Sequence, residues 1–306
     1  MKGDVLMNAN KLILLLFMSC LFYASPTWAQ DDLPRPLNSL KKMKPLRSLP
    51  ERKVGSDTIA VRSVLPATFK ETGPNKLADP HRVLDPVLER LQQLKTGVSD
   101  DTLRVVHIGD SHVRGHIYPQ TTGTLLGKTF GPIAYTDMGV NGATCLTFTH
   151  PQRIVDVAAL RPELLILSFG TNESHNRNYN ANVHYQQMDE LIKALRDSLP
   201  DVPILLTTPP GSYDRSRQRR RRTYAINPRT NTAAKMIAKY AAEHGAAVWD
   251  LYNVVGGPQR ACKNWFEARF MRPDHVHYLS EGYVLQGELL YEAILKAYND
   301  YVSDEL

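Results

Sequence analysis

From about residue 84 onward, short apolar runs alternate with longer stretches whose apolar residues fall at helical spacing. The runs are LRVVHIG (103–109), IAYTDMGV (133–140), ELLILSFG (163–170), PILLTTPP (203–210) and AAVWDLY (246–252). Each is apolar at consecutive positions, the pattern of a strand covered on both faces. The stretches between them predict helices around 116–129, 183–198 and 230–244, with a last one over 280–300. Leu84, Val87, Leu88, Leu91 and Leu94 place a further helix just before the first strand. Strands alternating with helices predict one α/β domain over residues 76–306, a parallel sheet with helices on both faces. No internal repeat is visible.

The N-terminus follows a different pattern. Lys2 and Lys11 precede LILLLFMSCLFYA, and small residues follow in SPTWAQ. This reads as a secretory signal over residues 1–29, cut after Ala29. The apolar run is shorter than the ~20 residues that span a bilayer, which argues against a retained anchor. An acylated Cys20 is the other alternative, but FMS before it lacks the usual leucine three positions back. The expectation is export, periplasmic or secreted, with no stable membrane insertion after cleavage. Residues 30–75 carry prolines, lysines and arginines without an apolar period and read as a linker.

Composition then narrows the partners. Of the 306 residues 42% are hydrophobic, enough for a substantial core, and 37 basic against 31 acidic side chains leave +6. That mild charge, with export, disfavours nucleic acid. Signal removal leaves Cys145 and Cys262. An oxidising compartment permits a disulfide between them, and two unrelated buried thiols are the alternative.

In a doubly wound sheet, ligands bind beyond the carboxyl ends of the strands. Ser111 follows the first strand directly, where a helix begins and backbone N–H groups are free. Taken alone it reads equally as a helix cap. Serine attack also needs a base, a group that orients the base, and donors for an oxyanion. Asp274 and His277 stand three apart on one turn, so the carboxylate can hold one ring nitrogen and leave the other for a serine. His275 points elsewhere and is read as a bystander. Gly142 follows the second strand, where a backbone N–H can approach a ligand, and Asn172 follows the third with an amide donor. Each has a plainer reading, a tight turn for Gly142 and a cap for Asn172. His112 and His116 are four apart and, with His107 or His277, invite a zinc reading. They lack a carboxylate or third histidine at similar spacing, so no metal is expected.

The blocks GDSH, the glycine of VNGAT, GTNE and DHVH occur in an order that resembles the SGNH (GDSL-like) hydrolases over roughly residues 100 to 295. The resemblance implies a flavodoxin-like three-layer α/β/α sandwich with a five-stranded parallel sheet in the order 2-1-3-4-5. It implies Ser111 as nucleophile, His277 as general base and Asp274 as its orienter. Ser111 N–H, Gly142 N–H and the Asn172 amide would form the oxyanion hole, with no cofactor and no metal. His112 stands where leucine is frequent in the family. The stretch VVGGPQRACKNWF looks like secreted bacterial carbohydrate O-acetylesterases, those acting on peptidoglycan above all, with Gly257 and Trp265 as substrate-binding candidates. A tryptophan there either stacks on a sugar or packs the loop. Arginines 215, 217 and 219–222 follow the fourth strand, either a solvated loop or a patch for an acidic glycan. The expected partner is an O-acylated glycan, cleaved by a serine esterase. A sugar O-acyltransferase with the same triad and a non-catalytic glycan-binding envelope protein are the alternatives.

Overall fold

The computed structural model of the protein describes residues 58–218 and 221–304. The expected signal segment with Cys20, the linker up to residue 57, and Arg219 and Arg220 lie outside the described residues. Along the chain the strands are β1 (Leu77–Ala78), β2 (Leu103–Gly109), β3 (Ile133–Gly139), β4 (Leu164–Ser168), β5 (Ile204–Thr207), β6 (Tyr213–Gln218), β7 (Arg221–Ile226) and β8 (Ala247–Trp249). The helices are α1 (Asp85–Thr96), α2 (Ser111–Arg114), α3 (Ile117–Phe130), α4 (Cys145–Phe148), α5 (Pro151–Ala159), α6 (Thr171–His175), α7 (Ala181–Ser198), α8 (Pro228–Glu243), α9 (Leu251–Val254), α10 (Gly257–Glu267) and α11 (Ser280–Asp304).

One sheet runs β1-β8-β5-β4-β2-β3, and β6 pairs only with β7 as a hairpin. β2, β3, β4, β5 and β8 are mutually parallel. Taken by themselves in chain order they stand 2-1-3-4-5, as the resemblance implies. The sheet nevertheless has six strands, because β1 adds antiparallel to the outer edge of β8. Two residues carry no periodic signal. β1 is held instead by the neighbouring Asn75, which accepts from Trp249 Nε1 at 2.9 Å and donates to the Leu289 carbonyl at 2.9 Å.

Alternation within each central strand builds two cores. Leu103, Val105, Leu164, Ile166 and Leu205 face one core with residues of α1, α3 and α11. Val106, Ile108, Leu165, Leu167 and Leu206 face the other with residues of α5, α7 and α8. Both faces of the sheet are therefore dry, which is why these runs read as continuously apolar. Residues 58–75, expected as linker, pack onto the first core. Asn299 exchanges two hydrogen bonds with the backbone of Ile59, and Phe69 is buried edge-on against Trp265. Among the described residues no helix is long and apolar enough to cross a membrane.

Candidate active site

β2 lies between β3 and β4, with Gly109 level with Gly139 on one side and Ser168 on the other. The segments that follow these strands therefore emerge side by side. Ser111 opens α2, and the preceding Asp110 caps it by accepting from His112 N at 2.9 Å. α2 lies so close over β3 that a Cβ at Gly139 would stand 2.0 Å from Arg114 N. Only glycine allows that approach, and the approach sets where Ser111 points.

His277 comes from the loop between α10 and α11. Its Nε2 stands 2.9 Å from Ser111 Oγ, and its Nδ1 stands 2.9 Å from Asp274 Oδ2. With Nδ1–H donating to the carboxylate, Nε2 is the acceptor that faces the serine hydroxyl. Asp274 Oδ1 also accepts from the backbone N–H of Val276 and of His277, each at 2.9 Å. Partial burial pushes the Asp274 carboxyl up, but these hydrogen bonds and the His277 ring outweigh it and hold the group below its ordinary value. The loop is braced by Arg272 N donating to His277 O and by the Tyr278 hydroxyl donating to Gly211 O. His275, read as a bystander, adopts a left-handed backbone (φ 58°) with its ring 3.9 Å from Tyr224, away from the serine.

Gly142 has φ 74°, in the region that glycine favours, and nothing within 4 Å of where a Cβ would lie. Among the described residues neither Ser111 N–H nor Gly142 N–H donates to a protein acceptor. The Asn172 amide donates to Ala143 O at 2.8 Å and lies 3.5 Å from Asp110 Oδ2. It thus bridges the Gly142 loop to the residue beside the serine. Asp110 escaped the sequence reading. It is buried, and burial, with Glu173 nearby, raises its carboxyl to about 7. Its one sequence signal is its place directly before the serine.

Other expected residues lie elsewhere. Trp265 is fully buried, donates Nε1–H to Pro210 O at 3.0 Å and packs on Phe69 and Tyr278. The expectation that it meets substrate is corrected: a ring with no exposed face cannot stack on a sugar. Gly257 is corrected likewise, since it is buried at the start of α10 with Asn253 Oδ1 2.8 Å from where a Cβ would lie. Cys145 and Cys262 are both free and buried, so the bridge between them is not formed. The Cys262 thiol donates to Ser212 O at 3.3 Å, whereas Cys145 Sγ lies by His184. His112 is buried with Nδ1 3.1 Å from the Tyr283 hydroxyl, and burial drops its pKa to about 3, so it stays neutral. His116 sits apart from it, paired with Asp137.

The five parallel strands bring this serine, histidine and aspartate together beyond their carboxyl ends, as the SGNH resemblance implies, and the class is a hydrolase acting on ester bonds. The chain belongs to the GDSL-like Lipase/Acylhydrolase family, whose model matches residues 107–285. Among solved structures it is similar to one described as "Peptidoglycan O-acetylesterase in action". That chain is 18% identical, with 73% of this chain and 99% of that chain covered and a TM-score of 0.66. A lipase/acylhydrolase from Enterococcus faecalis aligns at 20% identity, TM-score 0.48, over 64% of this chain and 96% of its own. A GDSL-like lipase from Bacteroides thetaiotaomicron aligns at 20% identity, TM-score 0.44, over 70% and 99%. Among functionally curated proteins none matches.

Proposed function

We propose that this protein is a serine esterase that removes acyl groups, acetyl in the simplest case, from an O-acylated glycan of the cell envelope such as peptidoglycan. The observation that carries the reading is the unbroken chain Ser111 Oγ–His277 Nε2 and His277 Nδ1–Asp274 Oδ2, both steps at 2.9 Å. The peptidoglycan O-acetylesterase similarity supports the choice of substrate class.

In this reading Ser111 Oγ attacks the acyl carbon as its proton passes to His277 Nε2. Asp274 keeps the ring oriented and stabilises the imidazolium that forms. The oxyanion is met by the Ser111 and Gly142 N–H groups and by the Asn172 amide, whose present bond to Ala143 O shifts toward the developing charge. His277 returns the proton to the departing sugar oxygen. Water then attacks the acyl-enzyme with His277 again as base.

The test is acetate release from O-acetylated peptidoglycan, O-acetylated xylan and an aryl acetate, by the wild type and Ser111→Ala. Acetate freed from a glycan by the wild type alone is expected. Acetylated sugar products without free acetate would mean transfer instead of hydrolysis.

A further inference from the structure

We propose that Cys145, Glu173 and His184 form a binding site for a divalent cation of the zinc class, set behind the Gly142 loop and separate from the Ser111 chain. Cys145 opens α4, Glu173 lies in α6 and His184 in α7, so three elements converge on one point. The sulfur, one carboxylate oxygen and one ring nitrogen all lie within 4.8 Å of one another. His184 Nε2 is 3.8 Å from Cys145 Sγ and 3.6 Å from Glu173 Oε1. Zinc bond lengths make the edges of a tetrahedral S/N/O site roughly 3.3–3.6 Å. The two edges at His184 are within a few tenths of an ångström of that geometry, and the sulfur–carboxylate edge lies within 4.8 Å.

The surroundings fit a cation as well. Cys145 is fully buried, and the side chains of His184 and Glu173 are 1% and 4% exposed. Among the described residues no lysine or arginine pairs with Glu173, whose nearest positive candidate is His184. Its two oxygens accept from Cys145 N and Gly170 N, each at 2.9 Å, which fixes the carboxylate and leaves lone pairs over. His184 Nδ1 meets the Tyr179 hydroxyl at 3.1 Å, an outer partner that orients a metal-binding imidazole and leaves Nε2 for the ion. A cavity of about 180 Å³, lined by Thr144, Asn172, Glu173, Tyr179 and His184 among others, reaches two of the three ligands, Glu173 and His184. It offers a path of entry and room for water as a fourth ligand. Thiolate, imidazole and carboxylate together select zinc or a similar ion over calcium or magnesium.

Binding forms metal–sulfur, metal–nitrogen and metal–oxygen bonds and breaks the S–H bond of Cys145. The proton leaves to water through the cavity, and no group is oxidised or reduced. The ion would tie the loop that carries Gly142 and Cys145 to α6 and α7.

Cadmium titration of the full chain carrying Cys20→Ser tests this, because cadmium thiolates absorb in the ultraviolet. One equivalent of cadmium is expected to give the charge-transfer band, and Cys262→Ser should leave it intact. Cys145→Ser should abolish it. His184→Gln, with the thiol and the carboxylate both retained, should weaken affinity about tenfold or more. Zinc should raise the melting temperature in a concentration-dependent way that both site variants lose. No band, a band lost only in Cys262→Ser, or undiminished affinity in a folded His184→Gln overturns the site. Ester hydrolysis by Ser111 is read separately, so either conclusion can fail alone.

Discussion

Asp110 and Ser111 are neighbours in the chain with opposite surroundings. Ser111 Oγ opens toward His277, and in the proposed reaction its loss removes the attacking atom. Ser111→Ala should lower aryl acetate turnover by about 10³-fold or more while leaving the unfolding transition in place. If Asn172 donates to the oxyanion as proposed, Asn172→Ala should cost about 10²-fold in turnover with little change in the Michaelis constant, since such a donor acts as charge develops. Asp110 is enclosed, and its folded value of about 7 lies well above the roughly 4 of an unfolded aspartate. The folded state binds that proton more tightly. Its contribution to stability is therefore full below about pH 4 and is lost as pH rises toward 7. Denaturant unfolding of wild type and Asp110→Asn across this window is the measurement, and the variant should lose that part of the slope. For Asp274 the sign reverses. Its depressed value means the stabilisation is present above the ordinary aspartate range and disappears on acidification.

Elements explain which side chains reach the site and which do not. α10 turns Trp265 inward, against Phe69 and Tyr278, so its role is to pack the base of the His277 loop. Trp265→Ala should destabilise by about 3–5 kcal/mol. Denaturant unfolding would register that loss, whereas a sugar-stacking role would show mainly as a raised Michaelis constant on glycan. The arginine-rich stretch, read from sequence as a connection, is likewise an element. β6 and β7 pair along it, with Arg217 level with Arg222 in register. Contacts at its base hold it: Arg229 Nη2 donates to both carboxylate oxygens of Asp214 at 2.7 Å, and the Tyr224 ring lies against His275 at a 30° tilt. Those partners are remote in sequence or in other elements, beyond the reach of a local pattern.

Across the whole molecule, two thiols lie apart in separate surroundings. With Cys20→Ser in place, denatured and unreduced protein should titrate two thiols, and none would mean a Cys145–Cys262 bridge after all. The sequence by itself determined the five parallel strands, the helices α1, α3, α7, α8 and α11 but not α5 or α10, and the order in which Ser111, Gly142, Asn172, Asp274 and His277 follow along the chain. It did so because burial on both faces writes a continuous apolar run, and because a site beyond the strand ends puts its polar residues directly after those runs. Only the tertiary structure decided the sixth strand, the packing of residues 58–75, the burial of Trp265 and Gly257, and the separation of the cysteines. It also brought Cys145, Glu173 and His184 together. Each of these depends on a partner far away in the chain, as Asn75 depends on Trp249 and Leu289. Local periodicity reports which face of an element is dry, and it carries no information about what that face meets.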